Sequence, residues 1–170
     1  MVRWRHTSSR HVDLNRILAK SEADEAWASL AQTWDIIPNG VWWFPLAPTT
    51  CAAVVAFKAA AFHVALGREW LRRTLAGRGV ERVLHFSEFD HVPVAELPLA
   101  AAAFRYERRP GEGYWCDARA AHRGWLVYAS HEDSVTLGGA WLVADAQHDW
   151  PNWSAHLWNG SAESYRPVAT

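Results

Sequence analysis

The stretch "WLVYASHEDSVTLGG", residues 125–139, sets two apolar, strand-forming runs on either side of a short polar knot. Runs of 4–8 residues rich in valine, threonine and aromatics, bounded by polar turn residues, are the signature of paired antiparallel strands. Residues 125–129 and 134–137 are therefore expected to form a hairpin, with Ser130, His131, Glu132 and Asp133 at its turn. A chain carrying such a unit needs further strands and a covering layer to bury its apolar side chains.

Helical periodicity supplies that layer. Ser21 to Asp24 has the pattern of a capping box, and Ala23, Ala26, Trp27, Leu30, Ala31 and Trp34 follow at spacings of three and four, predicting a helix over 22–34. From Ala59, the residues Phe62, Leu66, Trp70, Leu71 and Leu75 lie along one stripe, and Gly77 and Gly79 mark its end. Arg72, Arg73 and Arg78 sit near that end, where cations complement the helix dipole. Ala140 to Gln147 favours a third helix over 140–149, stopping before Pro151. Strands are expected at 41–44 after the Pro38-Asn39-Gly40 turn, at 80–86, and at 114–116 after the Pro110-Gly111-Glu112-Gly113 turn. Pro93 and Pro98 read as loop. The runs 51–57 and 99–106 fit helix or strand equally. The expected fold is α+β: a mainly antiparallel sheet with helices packed on one side, in a single domain spanning 1–170, with 1–20 as a less ordered N-terminal arm.

Composition narrows the function classes. At 170 residues the chain can bury a sizeable core without disulfides or metals. Its two cysteines, Cys51 and Cys116, have no metal-ligand spacing, which favours a reducing, cytoplasmic setting, with a single bridge between them as the alternative. No run reaches the roughly 18 apolar residues that would span a bilayer. A net charge of −1 argues against general nucleic-acid binding. The charge is unevenly placed: residues 124–165 contain no lysine or arginine, but hold Glu132, Asp133, Asp145, Asp149 and Glu163. Five of the twelve tryptophans lie in the same segment.

Several chemistries can be weighed on spacing. His131-Glu132 begins like the zinc-protease pattern H-E-x-x-H, but Val135 stands where the second histidine belongs, and the segment reads as a turn rather than a helix. A looser metal site would join His85, Glu88 or His91 to His131; neither metal nor cofactor is expected. Cys116-Asp117 and Ser130-His131 supply nucleophile and partner types, yet neighbours along a strand point to opposite faces. An enzyme reading joins Glu88, His91, His131 and Glu132 as a histidine-carboxylate site. Trp150, Trp153 and Trp158 punctuate a polar tail. They are expected to fold back and seal an apolar edge, the alternatives being an exposed anchor or a ligand pocket lined by the three indoles.

The run from Tyr114-Trp115 through "WLVYASHEDSVTLGGAWLV" to Trp150-Pro151-Asn152-Trp153 resembles the C-terminal half of small bacterial immunity-type proteins encoded beside toxin genes. The resemblance covers about the last third of the chain and transfers no individual residue roles. It implies a cytosolic protein that binds and occludes another protein, such as a basic toxin. The acidic, indole-rich segment agrees, because complementary charge steers association. On this reading Glu132, Asp133, Asp149 and Trp153 contact the partner.

Overall fold

The computed structural model describes residues 15–34, 53–87, 89, 91–108, 111–119, 124–158 and the backbone of 165–166. In chain order its elements are β1 (Arg16–Ile17), α1 (Lys20–Trp34), β2 (Val54–Lys58), α2 (Ala59–Ala65), α3 (Gly67–Gly77), β3 (Arg82–Ser87), β4 (Ala95–Pro98), β5 (Gly113–Asp117), β6 (Leu126–Ser130), β7 (Ser134–Gly138), α4 (Ala140–Asp149) and β8 (Tyr165–Arg166). The strands form one sheet of order β1-β4-β3-β5-β6-β7-β2-β8, with every pairing antiparallel. The fold is the α+β arrangement expected, in one domain. The strand at 41–44, Cys51, Glu88 and the arm before Asn15 lie outside the described residues.

Both faces of the central strands are apolar, since every residue of β5, β6 and β7 is buried. A sheet buried on both sides needs two covering layers. Val55, Phe57, Val83, Trp115, Val127, Ala129, Val135 and Leu137 face one core, closed by Phe62 of α2, Trp70, Leu71 and Leu75 of α3, and Leu142, Val143 and Ala146 of α4. Their neighbours in register, Val54, Ala56, Leu84, Phe86, Tyr114, Cys116, Leu126 and Tyr128, face the opposite core under Ala26, Leu30 and Trp34 of α1. Helices α2, α3 and α4 thus share one side as anticipated. The first helix takes the other side, because the alternate strand residues there are equally apolar.

Local chemistry explains where the elements depart from the sequence pattern. The expected box at Ser21 and Asp24 shifts by two residues: the backbone N–H of Ala19 donates to Glu22 Oε2 at 2.9 Å, so Glu22 caps a helix that starts at Lys20. The single stripe read from Ala59 to Leu75 becomes two helices, because Gly67 turns into the left-handed region at φ 68° and re-aims the chain. The run 51–57 resolves as strand over its described part, β2. Strand β4 occupies the ground between Pro93 and Pro98 that reads as loop; Pro98 closes the strand, opposite Arg82. Residues 99–106 are neither helix nor strand: a 3-10 turn at Leu99–Ala101 leads into an extended segment with Ala102 and Phe104 fully buried.

The tail after α4 folds back as expected. Trp150 is buried against Phe57, and its ring stacks on His156 at 5.0 Å. The Trp158 backbone N–H donates to the Ala56 carbonyl at 2.9 Å, and its ring enters the α1-side core. Trp153 is half-buried against the α2–α4 side. Trp150 and Trp158 serve different cores, so the three indoles line no common pocket. Among the described residues, no helix is long and apolar enough to cross a membrane.

Candidate functional site: the hairpin tip and its buried carboxylate

The register Ser130↔Ser134 closes a three-residue loop, His131-Glu132-Asp133. Three-residue hairpins need a left-handed residue at the third position, and Asp133 provides it at φ 56°. Aspartate tolerates that region better than most residues. The Asp133 carbonyl accepts from the Ala59 N–H at 2.7 Å, tying the tip to the start of α2. The Glu132 carbonyl accepts from Trp158 Nε1 at 3.1 Å, tying it to the tail.

Beneath the tip lies a side chain that the sequence pattern assigned to a turn. Glu112 precedes β5 and is 4 % exposed. The pairings Tyr114↔Tyr128 and Gly113↔Ala129 carry it toward Ser130 on the α1 side of the sheet. Its Oε2 accepts from the Tyr128 hydroxyl. Its Oε1 accepts from Ser130 Oγ at 2.7 Å, from the His131 backbone N–H at 3.0 Å and from His131 Nδ1. Three of these donors share Oε1 and one takes Oε2, so both carboxylate oxygens are engaged. The Tyr128 ring stacks on Tyr114 at 4.5 Å, and Trp27 of α1 meets Phe86 and Tyr114 edge-on, so an aromatic layer supports the carboxylate from below. Burying a carboxylate is tolerable only with such partners.

The consequence for His131 is a fixed orientation. A carboxylate only accepts, so Nδ1 carries the proton and the imidazole presents Nε2 outward from a ring whose side chain is 59 % exposed. Tyr106, 41 % exposed, lies 6.3 Å from that ring. Ser130 Oγ donates to Glu112 and accepts from the Glu132 N–H at 3.1 Å, so it is committed to the turn rather than poised as a nucleophile. Cys116 is fully buried, with Asp117 bound to Arg119 through two side-chain hydrogen bonds of 2.8 and 2.9 Å.

The residues singled out by sequence are therefore divided. His131, Glu132 and Asp133 meet at the tip. The carboxylate that engages His131 is Glu112 and not Glu132, whose backbone makes the contacts described. His91 leaves the same end of the sheet as Glu112, is exposed, and stacks on Phe89 at 5.5 Å; Glu88 lies outside the described residues. His85 faces the α2–α4 side, stacked on Trp115 at 5.0 Å, away from Glu112. Among the described residues, no three His, Cys, Asp or Glu side chains converge on a metal position. On α4, Asp149 Oδ2 accepts from Trp70 Nε1 at 2.8 Å. Asp145 accepts from Arg78 at 3.1 Å, and that guanidinium sits 4.4 Å from the Trp141 ring. The described acids of the C-terminal third thus form two groups, one at the tip and one clamping α4 to α3, and Glu163 lies outside the described residues.

The signal that could have found Glu112 is a lone acid between two glycines immediately before an apolar strand. Its partners lie 16–19 residues away, beyond any local pattern. No family model, curated protein or solved structure matches the chain.

Proposed function

We propose that the protein is a binding module of the immunity or inhibitor kind, working in the cytoplasm, that docks a basic protein partner through the hairpin tip. One observation carries this reading: the buried Glu112 carboxylate gathers four donors from the residues directly under and within the tip. A loop held in this way loses little conformational entropy when a partner seats on it, and preorganisation of that kind converts contact area into affinity. The tip offers the acids Glu132 and Asp133, with the exposed aromatic Tyr106 beside His131. Acids steer a basic partner, and a tyrosine is a common anchor at the centre of an interface. Asp149 and Trp153 play a smaller part than the sequence suggests, because Asp149 hydrogen-bonds Trp70 and Trp153 is half-buried.

The test is co-expression with the protein encoded next to this one. The expected result is a stoichiometric complex that weakens with rising salt and loses at least about tenfold in affinity on Glu132→Lys with Asp133→Lys, while the melting temperature stays within a few degrees. A complex indifferent to both salt and these changes would overturn the reading, as would failure of any neighbouring gene product to bind.

A second reading rests on the His131 Nδ1 contact with Glu112, which orients the imidazole as a general base. Hydrolysis of an ester or phosphoester probe that His131→Gln abolishes and Glu132→Ala leaves intact would favour it over the binding module.

A further inference from the structure

On the opposite face of the sheet from Glu112, the β4-β3-β5 edge is covered by an extended segment instead of a helix. Along residues 101–107 burial alternates: Ala102 and Phe104 enter the core, while Ala101, Ala103, Arg105 and Glu107 line a cavity of about 210 Å³. The sheet side of this cavity is made by Leu97, His85 and Trp115, the last two being direct partners across β3 and β5.

Three features distinguish this cavity from a packing gap. His85 is a polar side chain on an otherwise apolar surface, and among the described residues its ring makes no hydrogen bond, only the stack on Trp115. Burial holds the imidazole neutral, at about 4, against the opposing pull of Glu107, so it offers one N–H donor and one acceptor at neutral pH. The second feature is close packing set by sequence: a Cβ at position 113 would lie 2.8 Å from both His85 Nε2 and the Trp115 ring, so Gly113 lets these two stacked rings lie against the β5 backbone. The third is backbone strain at the cavity wall. Phe104, fully buried, adopts φ 47°, a left-handed conformation that costs an aromatic residue about 1 kcal/mol or more and turns the chain between Ala103 and Arg105.

At the mouth Arg105 and Glu107 form an ion pair, both lining the same cavity. Arg105 gives both Nε and Nη2 to the single oxygen Glu107 Oε1, at 3.1 Å each, so among the described residues Nη1 remains for another acceptor. Arg105 also lowers the proton affinity of His63 on α2, after the larger effect of burial. A second guanidinium, Arg72, donates to the Ala102 carbonyl at 2.9 Å on the same segment.

We infer that this cavity is a binding site for a small monocyclic aromatic carboxylate. The ring packs on Trp115, Leu97 and the two alanines, the carboxylate reaches Arg105 at the mouth, and His85 supplies a hydrogen bond inside. A volume of about 210 Å³ lies below the roughly 300 Å³ at which pockets for drug-sized molecules begin, which limits the ligand to one ring with short substituents. The site is independent of the hairpin reading, and neither stands or falls with the other.

Benzoate is the probe, with acetate and benzamide as controls, followed by titration calorimetry and by amide NMR of the full chain. Benzoate is expected to saturate, to bind at least about tenfold tighter than either control, and to shift the amides of Gly111, Gly113 and Trp115. Arg105→Gln, at an exposed position, should weaken it about tenfold or more, the loss expected for one charged hydrogen bond. Ala103→Leu, which fills the cavity from its wall, should abolish binding with the fold retained. Benzoate binding no tighter than acetate, benzamide binding as well as benzoate, or an Arg105→Gln variant that binds like the wild type would each overturn the assignment.

Discussion

Glu112 and His85 are both polar side chains largely enclosed by the sheet, one on each face, and they have opposite surroundings. Glu112 finds donors on Tyr128, Ser130 and His131. Among the described residues His85 finds the face of Trp115 and no hydrogen bond. A buried polar group that is fully satisfied is explained by folding: it fixes one arrangement of the chain and would be costly to replace. A polar group with no hydrogen-bonding partner among the described residues, opening on a cavity, is not explained in that way. The contrast separates a part of the molecule that spends its polar chemistry on holding a loop from a part that keeps it in reserve.

The largest expected effect breaks the satisfied side of that contrast. Glu112→Leu removes the acceptor for four donors, leaving the Tyr128 and Ser130 hydroxyls and the His131 amide without it. The expected loss is about 3–5 kcal/mol, at the level seen when a buried polar network loses its central member. Urea denaturation should show a lower midpoint; a change under about 1 kcal/mol would mean that water replaces the carboxylate and that the tip is not held by it.

The next effect probes the unsatisfied side. The His85 imidazole titrates near 4 in the folded protein and near its ordinary 6.5 in the unfolded chain. Between those values the unfolded chain binds the extra proton, so stability is complete above about pH 6.5 and declines as pH falls toward 4. The full decline is roughly 3–4 kcal/mol, from about 1.36 kcal/mol per unit. His63, also lowered by burial, adds a slope of the same sign. The difference between wild type and His85→Phe isolates the His85 contribution, and equal slopes in the two proteins would contradict the burial of that ring.

A smaller effect sharpens the distinction between acids that fold and acids that are presented. Asp149→Ala removes the acceptor for Trp70 Nε1 and should cost about 1 kcal/mol of stability. Glu132→Ala should change stability by less than about 0.5 kcal/mol, since the Glu132 contacts to Ser130 and Trp158 are made by its backbone. Thermal melts of the two variants side by side check the ordering.

These particulars also show what a reading of the chain could and could not reach. The hairpin was legible, because two strand-forming runs enclose a polar turn and local chemistry decides that outcome. The helix over 22–34 was legible from periodicity and the one over 140–149 from helix propensity before Pro151, with bounds moved only by the Glu22 cap at the first. The break at Gly67 was not, since the apolar stripe continues across it and only the backbone angle divides the helix in two. Strand β4 was hidden by two prolines that happen to fall before it and at its end. The assignment of helices to two sides depended on seeing both faces of β5, β6 and β7 buried, which short apolar runs do not announce. At the candidate site, His131, Glu132 and Asp133 could be named from the turn. Glu112 and His85 take their character from partners on other strands, which is where single-sequence reasoning ends.

The central claim is that Glu112 makes the hairpin tip a rigid, preformed surface. Amide ¹⁵N relaxation at His131, Glu132 and Asp133, in the wild type and in Glu112→Gln, measures this directly. Order parameters near the 0.85 or so of rigid backbone are expected in the wild type, with a clear drop at His131 in the variant, whose amide cannot accept all four donors. Values below about 0.6 across the tip of the wild-type protein, or no change on Glu112→Gln, would contradict it.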